Sequence, residues 1–117
     1  MIPVPVKRTI PFEILEQVDI RVGTIVAVDD LPKSKKLVRL RVNFGDHERT
    51  ILAGLKQERE NPAELMGRQS LFVVNLEPKP AMGELSEGML LDLGFADGIV
   101  PVLAVPEAPV PNGTRAG

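Results

Sequence analysis

The first half of the chain alternates apolar and polar residues, a pattern typical of β-strands that bury one face. Residues 37–44 alternate most regularly and place four apolar side chains on one face: Val38, Leu40, Val42 and Phe44. In all, the pattern predicts five strands, over residues 19–28, 37–44, 48–54, 70–76 and 89–95. The fourth is nearly all apolar, and we expect it to be the most buried.

The first predicted strand has Ile20, Val22, Val26 and Val28 on its buried face. Gly23 lies inside this strand, where a glycine often marks a bulge or a sharp bend. We therefore expect the strand to bend at Gly23.

One helical signal separates the third and fourth predicted strands. Asn61 is placed as an N-cap, Pro62 follows at the first helical position, and Glu64 lies three residues past the cap. Gly67 ends the helix after about one and a half turns. Five strands with this helix predict an all-β fold, a five-stranded OB-fold barrel. A small barrel of the SH3 kind is the alternative, and the position of the helix favours the OB-fold.

Composition narrows the possible functions. The 117 residues suit one domain, residues 1–117, and contain no Cys and a single His. Disulfides and thiolate metal sites are therefore excluded, and nothing in the sequence marks the single His as part of a nucleophile–His pair. We expect a non-enzymatic protein with no metal and no cofactor. No apolar run reaches the ~18 residues of a membrane span, and no signal peptide is recognisable, so we expect a cytoplasmic protein without membrane insertion.

The charge pattern offers one candidate binding surface. The formal net charge is −2, which argues against a domain that holds nucleic acid by bulk charge. A local basic cluster nevertheless lies where strand 2 of an OB-fold meets oligonucleotides: Lys33, Lys35, Lys36, Arg39 and Arg41. An ordinary solvated strand face is an equal alternative. The four phenylalanines are the only aromatic residues, so stacking along a single strand is not expected.

Residues 75–89 form the second candidate surface. Prolines and glycines indicate an unusual loop between strands 4 and 5, which carries an amide, a cation, a hydroxyl and two thioethers. Met82, between Ala and Gly, is a candidate surface thioether for a peptide or a splayed base. For Met89, core filling is the favoured alternative.

Several motifs in order resemble the tRNA-binding-domain family: residues 18–25 (VDIRVGTI), 36–37 (KL), 53–54 (AG), 63–67 (AELMG) and 75–89. The match covers about residues 12–95, which would form the domain core, and leaves 96–117 as a C-terminal extension. The family includes the dimerising C-terminal domain of methionyl-tRNA synthetases and the free-standing secretion chaperone CsaA. Residues 109–115 (PVPNGTR) resemble CsaA in particular.

This resemblance implies an OB-fold homodimer whose terminal extensions form the dimer interface. It also implies ligand contacts at four matching positions, Lys36, Asn75, Lys79 and Ser86. Met82 and Met89 would lie near these contacts. Two functions remain open. The first is a CsaA-like chaperone for unfolded or export-bound polypeptides, with the export machinery as a further partner. The alternative is a dimeric protein that binds tRNA by phosphate contacts and shape.

Overall fold

The computed structural model describes every residue from Met1 to Gly117. Its elements are α1 (Phe12–Leu15), β1 (Ile20–Asp30), β2 (Val38–Asn43), β3 (Glu48–Ala53), a 3-10 helix (Pro62–Leu65), β4 (Gln69–Val73), β5 (Lys79–Ala81), β6 (Glu84–Ser86), β7 (Met89–Leu90), β8 (Asp92–Leu93) and β9 (Val102–Leu103). No helix is both long and apolar enough to cross a bilayer.

A five-stranded antiparallel sheet in the order β3-β2-β1-β4-β7 organises the molecule. The long strand β1 pairs with β4 through its first half and with β2 through its second half, so the sheet curls on itself. The two outer strands, β3 and β7, approach each other next to Glu87, which lies just before β7 and whose amide donates to the carbonyl of Thr50 at 2.8 Å. This nearly closed barrel confirms the predicted five-stranded OB-type fold.

The core lies inside this barrel and follows the predicted alternation of β2. Val38, Leu40, Val42 and Phe44 are all buried, and the ring of Phe44 meets that of Phe72 edge to face at 5.5 Å. Other core residues come from β1, β3 and the segments around the 3-10 helix: Ile25, Ile51, Leu55 and Leu65. The predicted buried face of β2, which includes Phe44, is therefore confirmed.

The buried face predicted for β1 was wrong at Val26, because the strand contains a bulge that the alternation did not indicate. The pairing of β1 with β2 shifts register between Ile25 and Ala27, so a β-bulge lies at Val26. Since a bulge inverts the alternation, Ile25 is fully buried and Val26 faces solvent. Gly23 itself pairs regularly with Ser70 of β4.

The helical and late strand predictions need smaller corrections. The helix after β3 is a 3-10 helix at the predicted place, but the side chain of Asn61 makes no capping hydrogen bond. The four-residue helix α1 was not predicted. The predicted strand 70–76 ends at Val73, and the predicted strand 89–95 divides into β7 and β8.

The C-terminal segment runs beside β1. The Val22 amide donates to the carbonyl of Thr114 at 2.9 Å, and the Gly113 amide donates to the carbonyl of Val22 at 2.7 Å. The Asn112 side chain accepts hydrogen bonds from the Thr24 hydroxyl at 2.7 Å and the Gln69 amide at 3.0 Å. These contacts hold residues 112–114 against the barrel.

Candidate ligand-binding groove

A small hairpin, β5–β6, forms one side of the candidate site. It was predicted as a loop, but Lys79 pairs with Ser86 and Ala81 with Glu84 in a two-stranded sheet of its own. At its tip Met82 and Gly83 have φ values of 53° and 75°. Two consecutive positive values are the signature of a type I′ turn, which closes a tight hairpin.

A groove of about 770 Å³ lies between this hairpin and the sheet. Its lining combines an apolar surface with three charged side chains. The ten lining residues are Lys36, Leu37, Leu52, Leu76, Glu77, Lys79, Ala81, Ser86, Gly88 and Met89. Four residues predicted as ligand contacts therefore meet at one site, although they are up to 53 positions apart: Lys36, Lys79, Ser86 and Met89.

The two lysines of the groove are free to meet an anion. Lys36 and Lys79 are exposed, and neither forms an ion pair. Glu77, on the same lining, carries the one opposing charge and is also unpaired. The groove therefore has a net positive charge next to apolar surface.

Two predicted contact residues hold the structure around the groove. The Ser86 hydroxyl accepts a hydrogen bond from the Leu52 amide at 3.0 Å and donates to the Gly88 carbonyl at 3.2 Å. It fixes β6 to the outer edge of β3. Asn75 lies outside the groove lining, where its side chain accepts from the Asp19 amide at 2.8 Å and donates to the Gln17 carbonyl at 2.6 Å.

A second cavity, of about 590 Å³, lies at the tip of the hairpin and contains two more predicted residues, Arg39 and Met82. The Arg39 guanidinium is ion-paired with Glu84 of β6 and lies 3.5 Å from Asp29 of β1. The hydrogen bond that Arg39 donates to Glu84, and then the attraction of the carboxylate charge, raise the pKa of Arg39 above its usual value. Met82 is 46% exposed there, as expected for a surface thioether.

Arg41 lines neither cavity. Its guanidinium donates to Glu48 at 3.1 Å and to the Thr50 hydroxyl at 3.0 Å across the outer face of β2 and β3. Together with the pairing of Arg39, this means that both outward arginines of β2 already have carboxylate partners. The free positive charge lies instead on the lysines near the hairpin.

Several lining residues were missed by sequence reasoning, and one of them left a signal. Ile51 and Leu52 are adjacent apolar residues in β3, so one of them must point away from the core. Ile51 is fully buried, whereas Leu52 lies opposite Arg39 on the outer face and lines the groove. Glu84 had no comparable signal, because its partner is 45 positions away.

Comparison with known proteins agrees with the fold and the motifs. Residues 20–115 match the sequence model of the family described as "Putative tRNA binding domain". This match spans most of the chain. The chain belongs to the tRNA-binding-domain family.

The relatives of this tRNA-binding-domain protein include methionine–tRNA ligases. A methionine–tRNA ligase of Methanocaldococcus jannaschii is 43% identical over 91 residues, which cover 78% of the chain. The chain spans only 14% of that ligase's length.

Among solved structures, a MetRS-related protein from Pyrococcus horikoshii aligns with a TM-score of 0.85 and 33% identity, over 95% of this chain and all of that one. The chaperone CsaA of Bacillus anthracis aligns with a TM-score of 0.79 and 30% identity, over 94% of this chain and all of that one.

Proposed function

We propose that this tRNA-binding-domain protein binds tRNA in the groove beside the β5–β6 hairpin. The observation that carries the proposal is that two unpaired lysines, Lys36 and Lys79, line an otherwise largely apolar groove. Ammonium groups can bind backbone phosphates, while an apolar wall can receive the face of an unstacked base or the edge of a ribose. Membership of the family and the likeness to methionine–tRNA ligases support the same ligand. We propose a binding protein of the cytoplasm rather than an enzyme.

The charges of the molecule favour few phosphate contacts and recognition by shape. The formal net charge is −2, and both outward arginines of β2 have carboxylate partners. Bulk attraction to RNA is therefore weak, and affinity depends on local contacts. Double-helical RNA is read mostly through its shape and its backbone, which suits such a site.

Binding of extended polypeptide is the second candidate function. The apolar wall of the groove favours it, since five of the ten lining residues are hydrophobic: Leu37, Leu52, Leu76, Ala81 and Met89. The likeness to CsaA chaperones supports it as well. In this case the clients would be unfolded or export-bound polypeptides, with the export machinery as a further partner.

For either ligand we propose that the chain acts as a homodimer. Residues 1–10 are all exposed and carry five large apolar side chains, and Phe95 and Val100 are 76% and 71% exposed. The two regions touch where the Val4 amide donates to the Asp97 carboxylate at 3.3 Å. Apolar surface of this extent on a small barrel is typical of an interface between subunits.

Paired titrations separate the two ligands. Binding of tRNA and of an unfolded polypeptide would be measured at low and at physiological salt, for the parent and for Lys36→Ala and Lys79→Ala. Each substitution should weaken tRNA binding and reduce the slope of log affinity against log salt by about one unit. Lys35→Ala is the matched control, because this neighbouring lysine is exposed but lines neither cavity.

A polypeptide held by apolar burial should instead bind almost independently of salt, and Met89→Ala should weaken it most. Unchanged tRNA affinity in both lysine variants would refute the proposed site. Salt-independent peptide binding without any tRNA binding would establish the second candidate.

A further inference from the structure

The ion pair between Arg39 and Glu84 links two parts of the fold that share no main-chain hydrogen bond. Arg39 is the second residue of β2 and points outward, and Glu84 is the first residue of β6 in the hairpin. Main-chain pairing joins β6 only to β5, and the hairpin forms its own two-stranded sheet. The pair can therefore open without breaking any β-ladder.

The pair also lies in the wall of the second cavity, at the hairpin tip. That cavity contains two cations, Arg39 and Lys33, and a single carboxylate, that of Glu84. Lys33 is exposed and unpaired, whereas the Arg39 side chain is 38% exposed and is occupied by Glu84. If Glu84 is removed, the lining of the cavity keeps only its two cations, although Asp29 of β1, which lies outside the lining, remains 3.5 Å from Arg39.

A guanidinium binds a carboxylate and a phosphate in the same forked geometry. Glu84 accepts from Nη1 of Arg39 and Asp29 lies 3.5 Å from Nη2, so the two carboxylates together occupy the guanidinium fork that a ligand phosphate would need. The pair is partly exposed, with Glu84 at 27%, so its net strength is small and a competing anion can replace it. A phosphate that also contacts Lys33 gains a second cation, which Glu84 does not contact.

We propose that Glu84 is an internal competitor that occupies Arg39 in the free protein, and that a backbone phosphate of bound RNA displaces it to contact Arg39 and Lys33. The inference rests on the proposed tRNA function and adds a second phosphate site to the groove. Its consequence is selectivity. An RNA that reaches both cavities can overcome the competition, whereas an anion that contacts the hairpin tip alone is disfavoured.

The test is a tRNA titration over a range of salt concentrations with the full chain and four variants. Glu84→Gln should raise affinity about two- to fivefold and steepen the salt slope by about one unit, because one more phosphate contact forms without competition. Arg39→Ala combined with Glu84→Gln should lose this gain. Glu64→Gln removes the same charge from an ion pair with Arg59 that lines neither cavity, and it should leave affinity nearly unchanged. Lys33→Ala should lower the slope.

A second measurement does not depend on tRNA. Inorganic triphosphate would be titrated against ¹⁵N-labelled protein, and the Nε–H signal of Arg39 would be followed by NMR. We expect this signal to shift at lower triphosphate concentration in Glu84→Gln than in the parent. If the Arg39 signal shifts in this way but the protein binds no tRNA, the proposed function is refuted, whereas the competition of Glu84 for Arg39 is still supported.

Three results would overturn the inference. The first is equal or weaker tRNA binding by Glu84→Gln, which would mean that the pair only anchors the hairpin. The second is an equal gain in Glu64→Gln, which would reduce the effect to net charge. The third is an Arg39 signal that triphosphate leaves unchanged in both proteins.

Discussion

Substitution of Gly23 by Ala tests the packing between β1 and β2 most directly. A Cβ on Gly23 would lie 2.6 Å from Cγ1 of Val42 and 2.9 Å from Cε1 of Phe44. Both neighbours are core side chains, with exposures of 0% and 3%, so they cannot move into solvent. The backbone at Gly23 does not have a positive φ, so the strain would come from contact alone.

The magnitude follows from two opposing effects. An alanine that fits its site usually stabilises a protein by about 0.4–1 kcal/mol, because the unfolded chain becomes less flexible. Forcing an extra methyl into a packed core costs about 1–3 kcal/mol. Contact at 2.6 Å with a buried methyl belongs at the upper part of that range, so we expect Gly23→Ala to lower the free energy of unfolding by about 1–2 kcal/mol.

Urea unfolding measures this change, and Gly54 provides a matched control. A Cβ on Gly54 would have its nearest neighbour at 4.0 Å, the carbonyl of Lys36, and φ is not positive there either. Gly54→Ala should therefore be neutral or slightly stabilising. Val42→Ala removes the methyl that clashes, so the cost of Gly23→Ala should fall by at least about 0.5 kcal/mol in that background. Equal urea midpoints for Gly23→Ala and Gly54→Ala would refute the packing argument.

Three further predictions concern the surface of the barrel. Hydrogen bonds from Arg21 and Arg115, opposed in part by burial, hold the pKa of Asp19 below its usual value. The stabilisation from this carboxylate is therefore fully present above the unfolded pKa of about 3.9, and it is lost as the pH falls through the lower pKa of the folded state. Asp19→Asn should lower the urea midpoint at pH 7 and converge with the parent in acid; a constant difference down to pH 2 would contradict this. Asn75→Ala removes two hydrogen bonds that hold the chain after α1, so it should lower the free energy of unfolding by about 1–2 kcal/mol. It should also speed hydrogen exchange at the Asp19 amide, and an amide that stays protected would contradict this. Phe95→Glu places a charge on an apolar side chain that is 76% exposed and should convert a sedimenting dimer to a monomer at micromolar concentration; a dimer that persists would locate the interface elsewhere.

The sequence by itself determined the local elements of the barrel. The alternation in β2 identified its buried face correctly, because side chains in a strand point to opposite sides at every step. Pro62 and the following residues located the 3-10 helix between β3 and β4, since a proline can begin a helix but cannot continue one. Those features, with the family motifs, were enough to predict the fold and four residues of the groove.

The tertiary structure alone decided which surface carries free positive charge. The sequence placed Arg39 and Arg41 outward and suggested a cationic strand, but each arginine meets a carboxylate from another strand. The partner of Arg39 lies in a hairpin that sequence reasoning treated as a loop, because its turn uses a positive φ at Met82, which is not a typical turn residue. The bulge at Val26 was not predicted, because the register of β1 depends on two neighbouring strands and not on the residues of β1 alone.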